Sequence, residues 1–246
     1  MNMKNIWFIM KRELNGYFAT PVAYVFIISF LLLTGFSTFF VGNFFERGEA
    51  DLYPFFSIHP WIYILLIPAI SMRLWSEERK SGSIELLMTL PVSVFEAVLG
   101  KFLAAWLFTG LALLLNFPLW ITVNYLGSPD NGVIITGFLG SFLMAGGFLA
   151  IGACVSATTK NQVIAFVLSL IVSLIFVLSG YGIVLDFFSS WAPTALVNAI
   201  SSFSFLTHFD AISKGVIDMR DLLYFASVIL VWLFANAIVV NARKAD

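Results

Sequence analysis

The densest run of chemistry-bearing side chains is Arg73, Glu77, Glu78, Arg79 and Lys80, set between two apolar stretches. Adjacent carboxylates such as Glu77 and Glu78 could share a proton or hold a water for hydrolysis inside a membrane. That pattern also needs an arginine four residues after the second glutamate, and position 82 is Gly. His59 and His208 could act as acid–base groups or metal ligands. Neither has a second ligand or a serine nucleophile near it in sequence. Cys154 lies in an apolar run, and a lone cysteine makes no disulfide within one chain. There is no GxxxxGK[ST] phosphate loop, no HExxH pair and no GxSxG elbow. The expectation is a chain with no catalytic residue and no metal site of its own.

The elements that carry these residues are dictated by composition. Of 246 residues, 60% are hydrophobic and only 11% charged, and the mean hydropathy is +0.96. Soluble domains are nearer half apolar and a quarter charged, so most of this surface is expected to face lipid. The net charge of −1 suggests no nucleic-acid partner. Charges at Lys4, Lys11, Arg12 and Glu13 interrupt the first 18 residues, unlike a cleavable leader, so the apolar run after them is expected to be retained.

A spanning helix needs roughly 20 mostly apolar residues. Six segments meet that length, at about 21–45, 58–74, 102–126, 133–158, 163–185 and 222–240. Basic residues near span ends set orientation. With the N-terminus inside, Lys4, Lys11, Arg12, Arg73, Arg79, Lys80, Lys101, Lys160, Arg243 and Lys244 are cytoplasmic. Only Arg47, Lys214 and Arg220 are then outside. Both termini are therefore expected in the cytoplasm. The span cores hold almost no ionisable group, and such groups usually mark proton and ion paths. Energy for transport is thus expected from outside the chain. Asn116 and Pro118 should interrupt the third span. Small residues of the fourth span, including Ser141, Ala145, Ala153 and Ala157, suit close helix packing within the chain or between subunits.

Three pieces do not span. Residues 3–18 place Ile6, Trp7, Met10, Leu14, Tyr17 and Phe18 at helical spacing, with Lys11, Arg12 and Glu13 charged among them. That describes an amphipathic interfacial helix, or else a basic flank that only sets topology. Residues 76–93 begin charged and turn amphipathic, with Ile84, Leu87 and Leu90 three apart and Pro91 as the stop. An apolar helix face held just below a bilayer needs a partner, and a soluble protein groove is one candidate. Residues 186–220 are too apolar for an exposed loop: Trp191, Leu196, Phe203 and Phe209 all fall there. They form either a re-entrant segment or a cap on the bundle.

The pattern EER-x-x-G-[ST]-x-E-x-L-x-x-x-P, carried here by Glu77, Glu78, Arg79, Gly82, Ser83, Glu85, Leu87 and Pro91, resembles the ABC-2 type transporter permeases. The segment 207–224, with Lys11, Tyr17 and Pro21 near the start, looks like the gliding-motility-associated branch of that family. The resemblance covers essentially the whole chain as one transmembrane domain over 1–246. It implies an all-α membrane protein with six transmembrane helices, an N-terminal connecting helix, a cytoplasmic coupling helix and an outer re-entrant segment before the last span.

The resemblance also implies a mechanism. Glu77, Glu78, Arg79, Gly82, Glu85, Leu87 and Pro91 would belong to the coupling helix, seated in a cytosolic ABC ATPase. That partner would bind ATP and Mg. A second copy of the permease would complete a dimer in a bacterial inner membrane, and a separate membrane protein with an outer domain is a further expected partner. The family exports lipids, glycans, drugs or peptides, and the lipid-like spans favour an amphiphile here. A self-contained carrier or channel, or a scaffold that anchors a motility or envelope complex, are the alternatives.

Overall fold

The structure, a computed structural model, describes residues 2–85 and 91–242. Their regular structure is helical, with no strand among them. Twelve α-helices are used below. α1 is Met3–Phe18, α2 Pro21–Phe36, α3 Tyr53–Ser71, α4 Arg73–Ser81, α5 Val94–Leu114 and α6 Phe117–Leu126. α7 is Asn131–Ser156, α8 Gln162–Leu178, α9 Gly182–Ser189, α10 Thr194–Ser202, α11 Phe205–Ser213 and α12 Met219–Ala242. Of the residues singled out above, Leu87, Leu90, Arg243 and Lys244 lie outside the described residues.

Five helical runs are long and apolar enough to cross a membrane: Pro21–Val41, Tyr53–Ser81, Val94–Leu126, Asn131–Ser156 and Met219–Ala242. The sixth is broken. α8 and α9 together have the required length and composition but are bent by 69°. The straight fifth span expected over 163–185 therefore stops at Leu178. A tertiary contact accompanies the bend: a Cβ at Gly180 would collide with Ser204 and Thr207, so the bare glycine lets the α11 corner close against the turn. The chain is an all-α membrane protein with five spans, or six if the bent pair counts as one.

Local sequence sets most helix ends. Pro21 occupies the first turn of α2, where its missing N–H costs nothing. Ser93 and Glu96 form a reciprocal capping box that starts α5 at Val94, well before the expected 102. Asp130 accepts from the N–H groups of Gly132 and Val133 to begin α7. The break between α5 and α6 falls where Asn116 and Pro118 interrupt the third span. There the Asn116 amide donates to the Ala112 carbonyl at 3.2 Å. Its oxygen lies 2.9 Å from the Thr34 hydroxyl of α2. That hydroxyl is also 2.7 Å from the Phe30 carbonyl, so its single proton serves one acceptor or the other.

α7 is the axis of the bundle. It packs on α3, α5, α8, α11 and α12. Its small residues make this contact within the chain. Gly137 sits under the Phe56 ring, Gly140 under Ile212, Gly147 under Phe205 and Gly152 against Ser71. α1 packs along α5. Its buried stripe is Ile6, Ile9 and Met10, whereas Trp7 and Phe8 are exposed. The expected stripe thus shifts: Gly100 of α5 opens a seat for Ile9, and Trp7 turns outward, where an aromatic ring suits a membrane interface.

Candidate functional site at the α1 end of the bundle

α4 continues α3 after an interruption at Met72. First-turn N–H groups of such a helix have no partner within it. Ser156, the last residue of α7, supplies one. Its hydroxyl accepts from the N–H of Trp75 and of Ser76, both at 3.1 Å, and donates to the Met72 carbonyl at 2.8 Å. One turn on, the Arg79 guanidinium donates to the Ala157 carbonyl at 2.7 Å, inside the protein. A cation there also suits the negative end of α7. Gly82 ends α4 in the left-handed region, at φ 73°, a conformation that glycine adopts without strain.

The opposite face of α4 meets α1 and α5 through charge. Lys101 of α5 is 97% buried at its side chain and lies 2.7 Å from Glu78 and 3.2 Å from Glu13. Its ammonium also sits 5.3 Å from the centre of the Trp75 ring. Arg12 reaches Glu13 at 2.6 Å and Glu78 at 3.8 Å. Two carboxylates thus face two cations, which is how a nearly buried charge is tolerated. Burial by itself raises the pKa of Glu13. Lys101 and Arg12 outweigh it and hold the carboxyl below its ordinary value. Tyr17 shows the same setting from the other side: burial first, then the Glu13 charge, push its hydroxyl well above the phenol range.

A second tie holds α1 in place. Glu96, in the first turn of α5, accepts from the Asn5 amide and from the Ser93 N–H, both at 3.0 Å, and from the Asn2 N–H. The two helix starts are therefore fastened to each other at one end and through Lys101 further along. Beside this junction a cavity of about 210 Å³ opens between α1, α2, α3, α4 and α5. Glu13, Arg73 and Glu77 give it a charged wall, and Phe26, Leu74 and Phe108 an apolar one.

The structure brings Glu78, Arg12 and Glu13 into one cluster and places the other expected residues around it. Glu77 is exposed and paired with Arg73 at 2.9 Å. Arg79 is turned inward to α7. Pro91 accepts at its carbonyl from the Asn5 amide at 3.4 Å. Lys11 and Glu85 are exposed. Leu87 is outside the described residues. Sequence reasoning missed Lys101 as the centre of the cluster, and missed Trp75 and Ser156 altogether. A lysine two turns into an otherwise apolar helix was a usable signal, because such a charge must find partners.

The two histidines also have partners that sequence spacing hid. The ring of His59 lies 3.3 Å from the Ser141 hydroxyl, which is 2.7 Å from the Tyr63 hydroxyl. All three residues are fully buried within the helix bundle. His208 is paired with Asp221. No group of three or more metal-ligating side chains occurs among the described residues.

Helices of this length and apolarity, with charge gathered at their ends, define a multi-pass membrane protein. Residues 52–240 match the family model described as ABC-2 family transporter protein. That is more than half of the chain, and the protein belongs to this family. α1 and α2 lie outside the matched region. No curated protein matches the chain. Members of the family are membrane transport subunits, not themselves catalytic, and work with an ATPase subunit.

Proposed function

We propose that this chain is one half of a homodimeric, ATP-driven exporter in a bacterial inner membrane, with both termini in the cytoplasm. ATP and Mg are bound by a separate cytosolic ATPase. The observation that carries this reading is the Lys101 cluster. It ties together α1, the helix that leads into the 82–93 loop, and the start of the α5 span. A push on that loop is thereby delivered to two other elements at once. Gly82, Glu85, Leu87 and Pro91 make the surface that seats in the ATPase. Glu78 and Arg79 transmit, the first to α1 and α5, the second to α7. The adjacent cavity, charged on one wall and apolar on the other, supports an amphiphilic cargo. The 207–224 segment supports the gliding-motility-associated branch, and with it an auxiliary membrane protein with an outer domain.

The test is reconstitution of the intact complex with its ATPase. ATP-dependent movement of a fluorescent phospholipid across the vesicle membrane is the expected result. The double variant Glu78→Ala, Leu87→Asp should still insert, yet bind less ATPase and lose most transport. Full ATPase binding and transport by that variant would overturn the coupling role. A complex that hydrolyses ATP and moves no lipid would leave the family assignment standing and reject the amphiphile.

A further inference from the structure

At the other end of the bundle, α9 and α10 bury no residue of their own. They are held through the corner that joins α10 to α11. There His208, on α11, is 6% exposed and stands between two acceptors. Its Nδ1 lies 2.6 Å from Oδ1 of Asp221, in the first turn of α12. Its Nε2 lies 3.0 Å from the Ser202 carbonyl, at the end of α10. The ring stacks on Tyr224 with centroids 3.8 Å apart, and the Tyr224 hydroxyl donates to the Phe203 carbonyl. Ser204, between them, donates to the Val177 carbonyl of α8 at 3.3 Å.

The proton count decides what this arrangement is. A neutral imidazole carries one N–H and one lone pair. With the proton on Nε2, the lone pair of Nδ1 points at a carboxylate oxygen 2.6 Å away. With the proton on Nδ1, the lone pair of Nε2 points at a carbonyl oxygen. Either tautomer turns one of the two contacts into a repulsion. Both are made only when the pair holds one further proton, either as an imidazolium donating from both nitrogens to an ionised Asp221 or as a protonated Asp221 donating to Nδ1 while Nε2–H donates to the carbonyl. The surroundings of the pair offer no other donor of this kind. α8 and α10 carry no ionisable side chain, and α7 only Cys154, in its last turn. On α3, Tyr53 faces Lys214 and His59 is bonded to Ser141. Asp210 is exposed and paired with Lys214 at 2.6 Å. Asp218 and Arg220 are exposed.

We infer that His208 and Asp221 form a proton-binding site, and that the bound proton fastens the α10–α11 corner, and with it the α9–α10 hairpin, to the last span. Loss of the proton to solvent removes one of the two ring contacts and frees the corner. Because the closed form holds one proton more than the open form, closure weakens as pH rises. This site is independent of the ATPase reading and is tested without nucleotide.

The experiment uses the full chain in lipid nanodiscs, with ¹⁵N-labelled histidine, and His208→Gln to assign the His208 signals. The closed corner should show Nε2 protonated and a proton held between Nδ1 and Asp221, and raising the pH should remove that proton. Over the pH interval in which the closed form keeps the proton and the open form has lost it, amide exchange of residues 203–208, corrected for the intrinsic rate, should accelerate by about tenfold per pH unit. Asp221→Asn, whose amide can donate to Nδ1 with no added proton, should show corrected exchange with no such slope. His208 nitrogen signals that do not change with pH overturn the proposal, whatever the variants do. So does corrected exchange in the wild type that ignores pH.

Discussion

Lys101 is the residue on which the α1 end depends. Removing its charge while keeping its length, as in Lys101→Met, leaves Glu13 and Glu78 facing each other with only Arg12 between them. Breaking a nearly buried pair in this way costs about 3 kcal/mol, read as a lower unfolding temperature in detergent. The same cluster sets an acid limit. Glu13 has its folded pKa held below the unfolded value by Lys101 and Arg12, against the opposing effect of burial. Its contribution is therefore complete above the ordinary carboxylate range and is lost as pH falls through the depressed folded value. Melting temperature should fall on acidification in the wild type. In Glu13→Gln it should start lower and fall less steeply. Neither Lys101 nor its partners could be paired from sequence alone, because Glu13, Glu78 and Lys101 are far apart in the chain and meet only when three helices pack. The motif residues Glu78 and Arg79 were legible as important. That one reaches α1 and α5 and the other α7 was not, since the difference is one step of rotation around α4.

Helices were legible where one physical signal dominates. Long apolar runs gave the spans, and Asn116 with Pro118 gave the break between α5 and α6. Ends were less legible where a cap sets them: Ser93 and Glu96 begin α5 at Val94, two turns ahead of Lys101. The bend after Leu178 depends on Ser204 and Thr207 arriving beside Gly180, which no local pattern encodes. Small residues in α7 could have served a subunit interface, and only the packed neighbours show that they serve this bundle. The joint between α3 and α4 rests on Ser156 in the same non-local way. Ser156→Ala keeps the volume nearly constant but strands the Trp75 and Ser76 N–H groups inside the protein. A loss of roughly 1–3 kcal/mol is expected, with faster amide exchange confined to the first turn of α4 as the check. A uniform loss of protection along α7 would instead mean that the serine matters for packing.

Over the whole molecule, charge and packing divide the two ends. The Lys101 cluster closes one end with Arg79 beside it, and the His208 corner closes the other. Opposite-side labelling tests that division. Lys80→Cys on α4 and Lys214→Cys after α11 alter exposed positions, and Cys154 is buried. A membrane-impermeant thiol reagent should label the second in intact cells and the first only after permeabilisation. The way α2 is attached has a consequence for biogenesis. This helix buries only Ala23, Phe26, Phe30 and Thr34, and its polar contact, Asn116, follows Thr34 by 82 residues. During synthesis α2 must therefore wait in lipid before its berth exists. It can do so because the Thr34 hydroxyl has the Phe30 carbonyl of its own helix to bond to in the interval, and Asn116 likewise has Ala112. Each polar group enters the bilayer already satisfied, and docking needs only the turn of one hydroxyl proton from a neighbour in the same helix to a partner in another.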